Sequence, residues 1–287
     1  MSYFINKLEK KDWPPLLNEI PDKPKNLFFA GQIPDWNNYK ILCVVGSRKY
    51  SSYGKSVLSK LLEGLRGQKI IIISGLALGI DALAHEKALE IGLKTIAVPG
   101  SGLGEKVLYP KTNFYLANKI INNGGALISE FEENFKATLY SFAQRNRIMA
   151  GMSDAILIIE AEEKSGTLIT ARLGGEYNRD VLVVPGPINS SSSVGTNKLL
   201  KDGANPILDS ADILEALDLK FENKAMTDFS NFNENERKVF EILKDAKNKD
   251  EVIEELNLEI KEANILLATM ELKGLIKEEL GKIYINI

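Results

Sequence analysis

Six short aliphatic runs, five of them closed by Gly, Pro or Ser, constrain this chain more than any other feature. They are Ile41–Val45, Ile70–Ile73, Thr95–Val98, Ala126–Ile128, Ala155–Ile159 and Val181–Val184. Each is apolar at successive rather than alternate positions, the pattern of strands covered on both faces. Stretches with helical character separate them, among them Tyr53–Leu65, Ile80–Ile91, Phe114–Asn122 and Leu168–Tyr177. Strand, helix, strand in regular succession implies right-handed crossovers. The reading is therefore α/β: a Rossmann-like, doubly wound, mostly parallel sheet.

The flanks read differently. Residues 1–39 hold Pro14, Pro15, Pro21, Pro24 and Pro34, which leave little room for regular helix, and form a short lead-in. The Rossmann-like core is expected over 40–217, a polar linker over 218–232, and a second domain over 233–287. In the latter, Glu234–Ala246, Lys249–Leu256 and Ile260–Lys273 read as helices. Leu275–Glu279 and Lys282–Ile287 read as strands about Gly281. Three helices and a hairpin suggest a small winged-helix domain.

Composition narrows the class. One cysteine, Cys43, cannot form an intramolecular disulfide, and one cysteine with one histidine cannot build a usual zinc site. No run reaches the roughly 18 apolar residues of a membrane span, and residues 1–12 lack a signal-peptide core. A cytoplasmic, metal-free protein is expected. Net charge is −3, which argues against a polyanionic partner until its distribution is considered. Residues 40–207 carry 20 basic and 15 acidic side chains, whereas 230–287 carry 9 and 13. The core can offer a basic face, and the C-terminal segment would be repelled by one.

Chemistry gathers in the turns after the strands. Gly46-Ser47-Arg48 follows the first, Ser74-Gly75 opens the turn after the second, and Pro99-Gly100-Ser101-Gly102 follows the third. Lys164-Ser165-Gly166-Thr167 comes soon after the fifth and Pro185-Gly186 after the sixth. In an open parallel sheet such turns meet at the carboxyl edge, where ligands bind. Glycine lets backbone N–H groups approach an anion, and helix N-termini add positive potential. The edge reads as a phosphate site. Neither GxGxxG nor GxxxxGK[ST] is present in the right place, so no nucleotide cofactor is expected. Residues 142–151 add Phe142, Arg145, Asn146 and Arg147: arginine forks for phosphate and an aromatic face for a base, which suits single-stranded nucleic acid. The bland reading makes Phe142 a core residue and pairs the arginines with Glu130 or Glu160.

The order VGSRKYSSYG at 45–54, SGLALGIDALAHEKAL at 74–89, GLKTIAVPGSGL at 92–103 and YPKTN at 109–113 resembles the bacterial DNA-processing protein A family. The resemblance continues through GGALISEF at 124–131, FAQRNRIMAG at 142–151, KSGTLITARL at 164–173 and VPGPINSSSSVGTNKLLKDGA at 184–204. It implies a non-catalytic, single-stranded DNA-binding core that protects incoming DNA in natural transformation. It also implies loading of a RecA-type recombinase and homodimers formed through the core. Carried over, Gly46, Ser47 and Arg48 are the phosphate-binding turn, Phe142 the base-stacking aromatic and Lys164 the basic strand-end position. Pro99 and the 104–108 segment depart from the family pattern. The short lead-in implies that the N-terminal helix-hairpin domain of some members is absent.

Two enzyme readings compete. Asp81 and His85 share a helical face, and Ser74 or Ser101 could be a nucleophile, but no G-x-S-x-G elbow is present. Pro99–Glu105 comes near the PGGxGT-type loop of Rossmann-like nucleotide phosphoribohydrolases, yet lacks the second adjacent glycine and the threonine. In the last domain, Lys261 and Lys273 stand against Glu262 and Glu271 in the third helix, a poor set for duplex recognition.

Overall fold

The computed structural model describes residues 3–219, 232–243, 247–279 and 281–285. The chain divides into two compact units between residues 221 and 222. The expected linker thus lies largely outside the described residues.

All six aliphatic runs are strands of one sheet. In chain order the first unit holds β1 (Asn6–Leu8), β2 (Leu27–Gly31), β3 (Lys40–Val45), α1 (Ser52–Glu63), β4 (Ile70–Ser74), α2 (Ile80–Glu90), β5 (Lys94–Ala97) and α3 (Phe114–Asn122). It continues with β6 (Ala126–Ser129), α4 (Leu139–Met152), β7 (Ala155–Ile158), α5 (Thr167–Glu176), β8 (Asp180–Val183), α6 (Val194–Lys201), β9 (Asn205–Pro206) and α7 (Ser210–Ala216). The sheet order is β1-β2-β6-β5-β4-β3-β7-β8-β9. From β6 to β9 every neighbouring pair is parallel. The chain builds outward from β3 through β4 and β5 to β6, then returns to lay β7 on the other side of β3. That reversal makes β3 the switch point, and its carboxyl end is where a ligand crevice opens.

Continuous apolar runs are explained by two cores. Cys43, Val45, Ile71, Ile73, Ile156 and Ile158 pack on one face, and Leu42, Val44, Ile70, Ile72 and Leu157 on the other. Both faces of the central strands therefore leave water. Full burial of such a side chain is worth about 1.5–3 kcal/mol, so the central strands anchor everything attached to their ends.

The lead-in contains two strands that its sequence conceals. β2 pairs antiparallel with β6, and β1 with β2. Buried Trp13 and Trp36 fasten this edge, donating from Nε1 to the Leu8 and Asp12 carbonyls at 3.0 and 2.9 Å. The motif at 142–151 lies inside α4, which starts at a capping box of Thr138 with Ser141.

The second unit has α8 (Glu234–Ile242), β10 (Lys247–Asn248), α9 (Lys249–Leu256), α10 (Ile260–Leu272), β11 (Ile276–Glu279) and β12 (Lys282–Ile285). β10 joins the expected hairpin to make a three-stranded antiparallel sheet. Val239, Phe240, Val252, Leu256, Leu267 and Met270 form its core. Among the described residues no helix is long and apolar enough to cross a membrane.

Candidate nucleic-acid interface

A cleft of about 370 Å³ opens at the switch point, between the ends of β3 and β7. Gly46, Arg48, Phe142, Arg145, Asn146, Ser165, Gly166 and Thr167 line it, so most of the sequence candidates converge. Asp81 lines it too. The β3 and β7 turns are tied together where Thr167 Oγ1 donates to the Gly46 carbonyl at 3.1 Å.

The side chains divide by role. Arg48 is exposed, and its guanidinium carbon sits 5.5 Å from the centroid of the Phe142 ring. Tyr109 stands on Phe142 as well, with ring centroids 5.6 Å apart. Phe142 is half-buried and borders the cleft, so one aromatic surface is held by a neighbouring ring and crowned by a cation. Gly100 explains its seat. A Cβ there would lie 2.5 Å from Phe142 Cδ1, so this glycine makes room for the ring instead of cradling phosphate. Gly75 does the same for Arg145, whose Nη1 would be 1.9 Å from a Cβ.

Arg145 is turned inward. It is buried, and its Nη1 donates to the carbonyls of Gly75 and Val98 while Nε donates to Asn146 Oδ1 at 3.1 Å. Asn146 in turn reaches the Gly166 carbonyl at 3.4 Å. Asp81 is buried beside them and accepts from the Gly75 N–H at 3.1 Å. Burial pushes its carboxyl up, opposed by the Arg145 charge. Burial likewise depresses Arg145, and Asp81 opposes that. These three residues brace the floor of the cleft; a phosphate fork at Arg145 would have to break bonds it already makes.

Several other candidates are corrected. Ser74 is fully buried, and its hydroxyl donates to the Val44 carbonyl at 2.6 Å. Ser47 closes its own turn, its Oγ accepting from Lys49 N and donating to Lys49 O. Arg147 lies outside the cleft and is paired with Glu130 and, at 3.7 Å, with Asp22, as the bland reading held for Glu130. Glu160 is instead taken by Ser51 and Ser192. Lys164 is exposed on the turn before Ser165 and does not line the cleft. Backbone donors are also largely spent. The first N–H groups of α5 turn back to Ser165 and Gly166, and Ile80 N bonds Ser47 O. What the cleft offers an anion is Arg48, the Arg145 charge behind it and the positive end of α5, not an open amide cradle. The sequence missed Asp81 as part of this site and the aromatic partner Tyr109; a buried acid and a ring above Phe142 leave no periodic trace.

The residues of the enzyme readings are not arranged for chemistry. His85 is fully buried, with Nδ1 2.7 Å from Thr95 Oγ1. The Thr95 hydroxyl donates its one proton to the Ile72 carbonyl, so it accepts from Nδ1–H. Burial holds the imidazole down to about 3, and it stays neutral. Ser101 is buried, donates to the Gly102 carbonyl and accepts from Tyr109 N. Gly102 abuts the Glu132 and Glu133 carbonyls, so the Pro99–Glu105 loop is covered rather than open.

Residues 5–218 match the family model for DNA recombination-mediator protein A. The chain belongs to that family. It is 40% identical over 205 residues to protein Smf of Escherichia coli, covering 71% of this chain and 54% of that protein. It is 39% identical over 198 residues to DNA processing protein DprA of Streptococcus pneumoniae, covering 69% of this chain and 68% of that one. The chain thus spans about half the length of the E. coli relative. Among solved structures, S. pneumoniae DprA superposes with a TM-score of 0.69 at 35% identity, covering 76% of this chain and 75% of that one. Helicobacter pylori DNA processing protein A superposes with a TM-score of 0.67 at 31% identity, covering 75% and 96%. The latter structure was described for its single-stranded DNA binding mode. Both similarities place this member of the DNA recombination-mediator protein A family among the α/β folds derived above.

Proposed function

We propose that the first unit binds single-stranded DNA without base specificity, seating the strand at the cleft on the switch point. One observation carries this: an exposed cation, Arg48, and an aromatic, Phe142, held together at the mouth of a cleft whose floor Arg145 and Asp81 brace. Arg48 would take a phosphate, Phe142 would stack a base, and Ser165, Gly166, Thr167 and Lys164 would flank the strand. The H. pylori homologue's described binding mode supports the same ligand class. The inward hydroxyls of Ser74 and Ser101 and the buried, neutral His85 support a binding role over a catalytic one. In the cell we assign the protein to DNA processing in natural transformation, guarding the strand and passing it to a RecA-type recombinase, as a cytoplasmic homodimer through the core. We read the second unit, by its element order, as winged-helix-like.

The experiment is a titration with single- and double-stranded oligonucleotides at several salt concentrations. Preference for the single strand and a steep salt response, about −0.7 in log–log slope per phosphate contacted, are expected. Equal affinity for duplex, or a flat response, would overturn the reading. Release of free base from nucleoside monophosphates would favour the phosphoribohydrolase alternative.

A further inference from the structure

Beside the cleft runs a second, larger groove of about 710 Å³, walled in part by Lys23, Lys25, Tyr140, Arg147 and Arg172. Ala143 and Ile169 line both depressions. Helical spacing explains the arrangement. Along α4, Leu139, Phe142 and Asn146 face the cleft, while Tyr140, Gln144 and Arg147 face the groove, with Ala143 common to both stripes. Along α5, Thr170 faces the cleft and Arg172 the groove, with Ile169 shared. A side chain as small as alanine makes the divide a low saddle.

The surface around that saddle is unusual for a solvated helix end. Leu139 is 91% exposed and Tyr140 71%, with Ile169 also exposed beside the saddle. Large apolar faces between two polar grooves suit unstacked bases. The groove's charge suits the backbone. Its carboxylates, Asp22 and Glu130, are both engaged by Arg147, and Asp22 also accepts from the Tyr177 hydroxyl. Lys23 and Lys25 are exposed and belong to no ion pair among the described residues. Arg172 has only an exposed partner one turn on, Glu176 at 3.5 Å, a pair of little worth that a phosphate can replace.

We propose that a single strand leaving the cleft crosses the Ala143–Ile169 saddle into this groove, where Tyr140 stacks a base and Lys23 and Lys25 meet phosphates. The proposal rests on the cleft reading above and extends it to a continuous track across α4. Its test titrates the full chain, a Tyr140→Ala variant and a Lys23→Ala, Lys25→Ala variant with oligothymidylates of about 4 and about 16 nucleotides, a usual range of single-strand site sizes. Each variant is expected to lose about tenfold or more on the longer strand and less than about twofold on the shorter. The double lysine variant should also flatten the salt slope for the longer strand by about 1.4, the share of two phosphate contacts, and leave the shorter strand's slope unchanged. Unchanged affinity and slope on the longer strand would overturn the proposal and leave the groove to a protein partner. Equal losses on both lengths would overturn it as well, since they mark damage at the cleft itself. If wild-type protein fails to bind the short strand, or Arg48→Ala binds it as well as wild type, the cleft reading falls first and the track with it.

Discussion

The guanidinium carbon of Arg48 lies 5.5 Å from the centroid of the Phe142 ring, so the mouth of the cleft presents a cation and an aromatic face as one unit. Neither is free to act alone: the ring positions the cation, and the cation covers part of the ring. Arg48→Ala should weaken binding to all sequences alike and make the salt slope shallower by about 0.7. Phe142→Ala should cost roughly 1–3 kcal/mol with little change in slope. Because the two side chains touch, their effects should fail to add by at least about 0.5 kcal/mol, which a double-mutant cycle of binding isotherms measures. Strict additivity would mean that the contact is not kept when the strand binds.

Arg145 should behave as a structural residue. Arg145→Met strands the Gly75 and Val98 carbonyls and leaves the buried Asp81 carboxylate without its compensating charge. The loss of folding stability should reach about 3 kcal/mol or more, read as a lowered urea midpoint at unchanged m-value. A variant as stable as wild type that has lost DNA binding would return Arg145 to the ligand.

The lone histidine gives a clean pH prediction. His85 is held down to about 3 in the folded protein, against about 6.5 when unfolded, so below pH 6.5 the unfolded chain binds the extra proton. Stability is therefore full above pH 6.5 and falls as the pH drops toward 3. Between pH 6.5 and 5, before most carboxylates titrate, the loss should be about 2 kcal/mol. His85→Asn keeps a donor near Nδ1 for Thr95 and should flatten that stretch of the stability curve. The raised carboxyls of Asp81 and Glu130 act in the opposite sense, so the difference between the two curves carries the test. A wild-type curve no steeper than that of His85→Asn from pH 6.5 to 5 would contradict the buried, neutral imidazole.

These predictions use features that the sequence showed unequally. The strands from β3 to β8 were legible because both of their faces are largely buried, which writes most positions in Ile, Val, Leu or Ala. The carboxyl edge, with Arg48 in its first turn, followed from their succession, and Phe142 from the motif at 142–151. β1 and β2 were hidden because Asn6–Leu8 is mostly polar and Leu27–Gly31 stands between Pro24 and Pro34, outside the regular alternation of strand and helix. Arg145 and Arg147 show the limit within the site. They stand two positions apart on one helix, about 200° around its axis. One enters the floor and the other meets Glu130, a choice set by tertiary neighbours rather than by the motif. Ser74 and Gly100 occupy turns that resemble phosphate loops, yet their neighbours use them for packing.

The second unit supplies the last prediction: removing it should leave single-stranded DNA binding intact. Residues 230–287 carry 13 acidic against 9 basic side chains. Its α10, the helix that would enter a groove, exposes Ile260, Ile265 and Leu272 and has Lys261 balanced by Glu262. Bringing such a surface to a polyanion releases no counterions and meets like-charge repulsion. The first unit has its own three hydrophobic clusters and its own cleft, so residues 1–219 should fold without the rest. Binding isotherms of the full chain and the truncation, after circular dichroism shows both to be folded, should agree within about twofold, and the truncation should bind slightly tighter at low salt, where repulsion is least screened. A loss of tenfold or more, about 1.4 kcal/mol, in the folded truncation would show that α10 or its neighbours hold DNA after all.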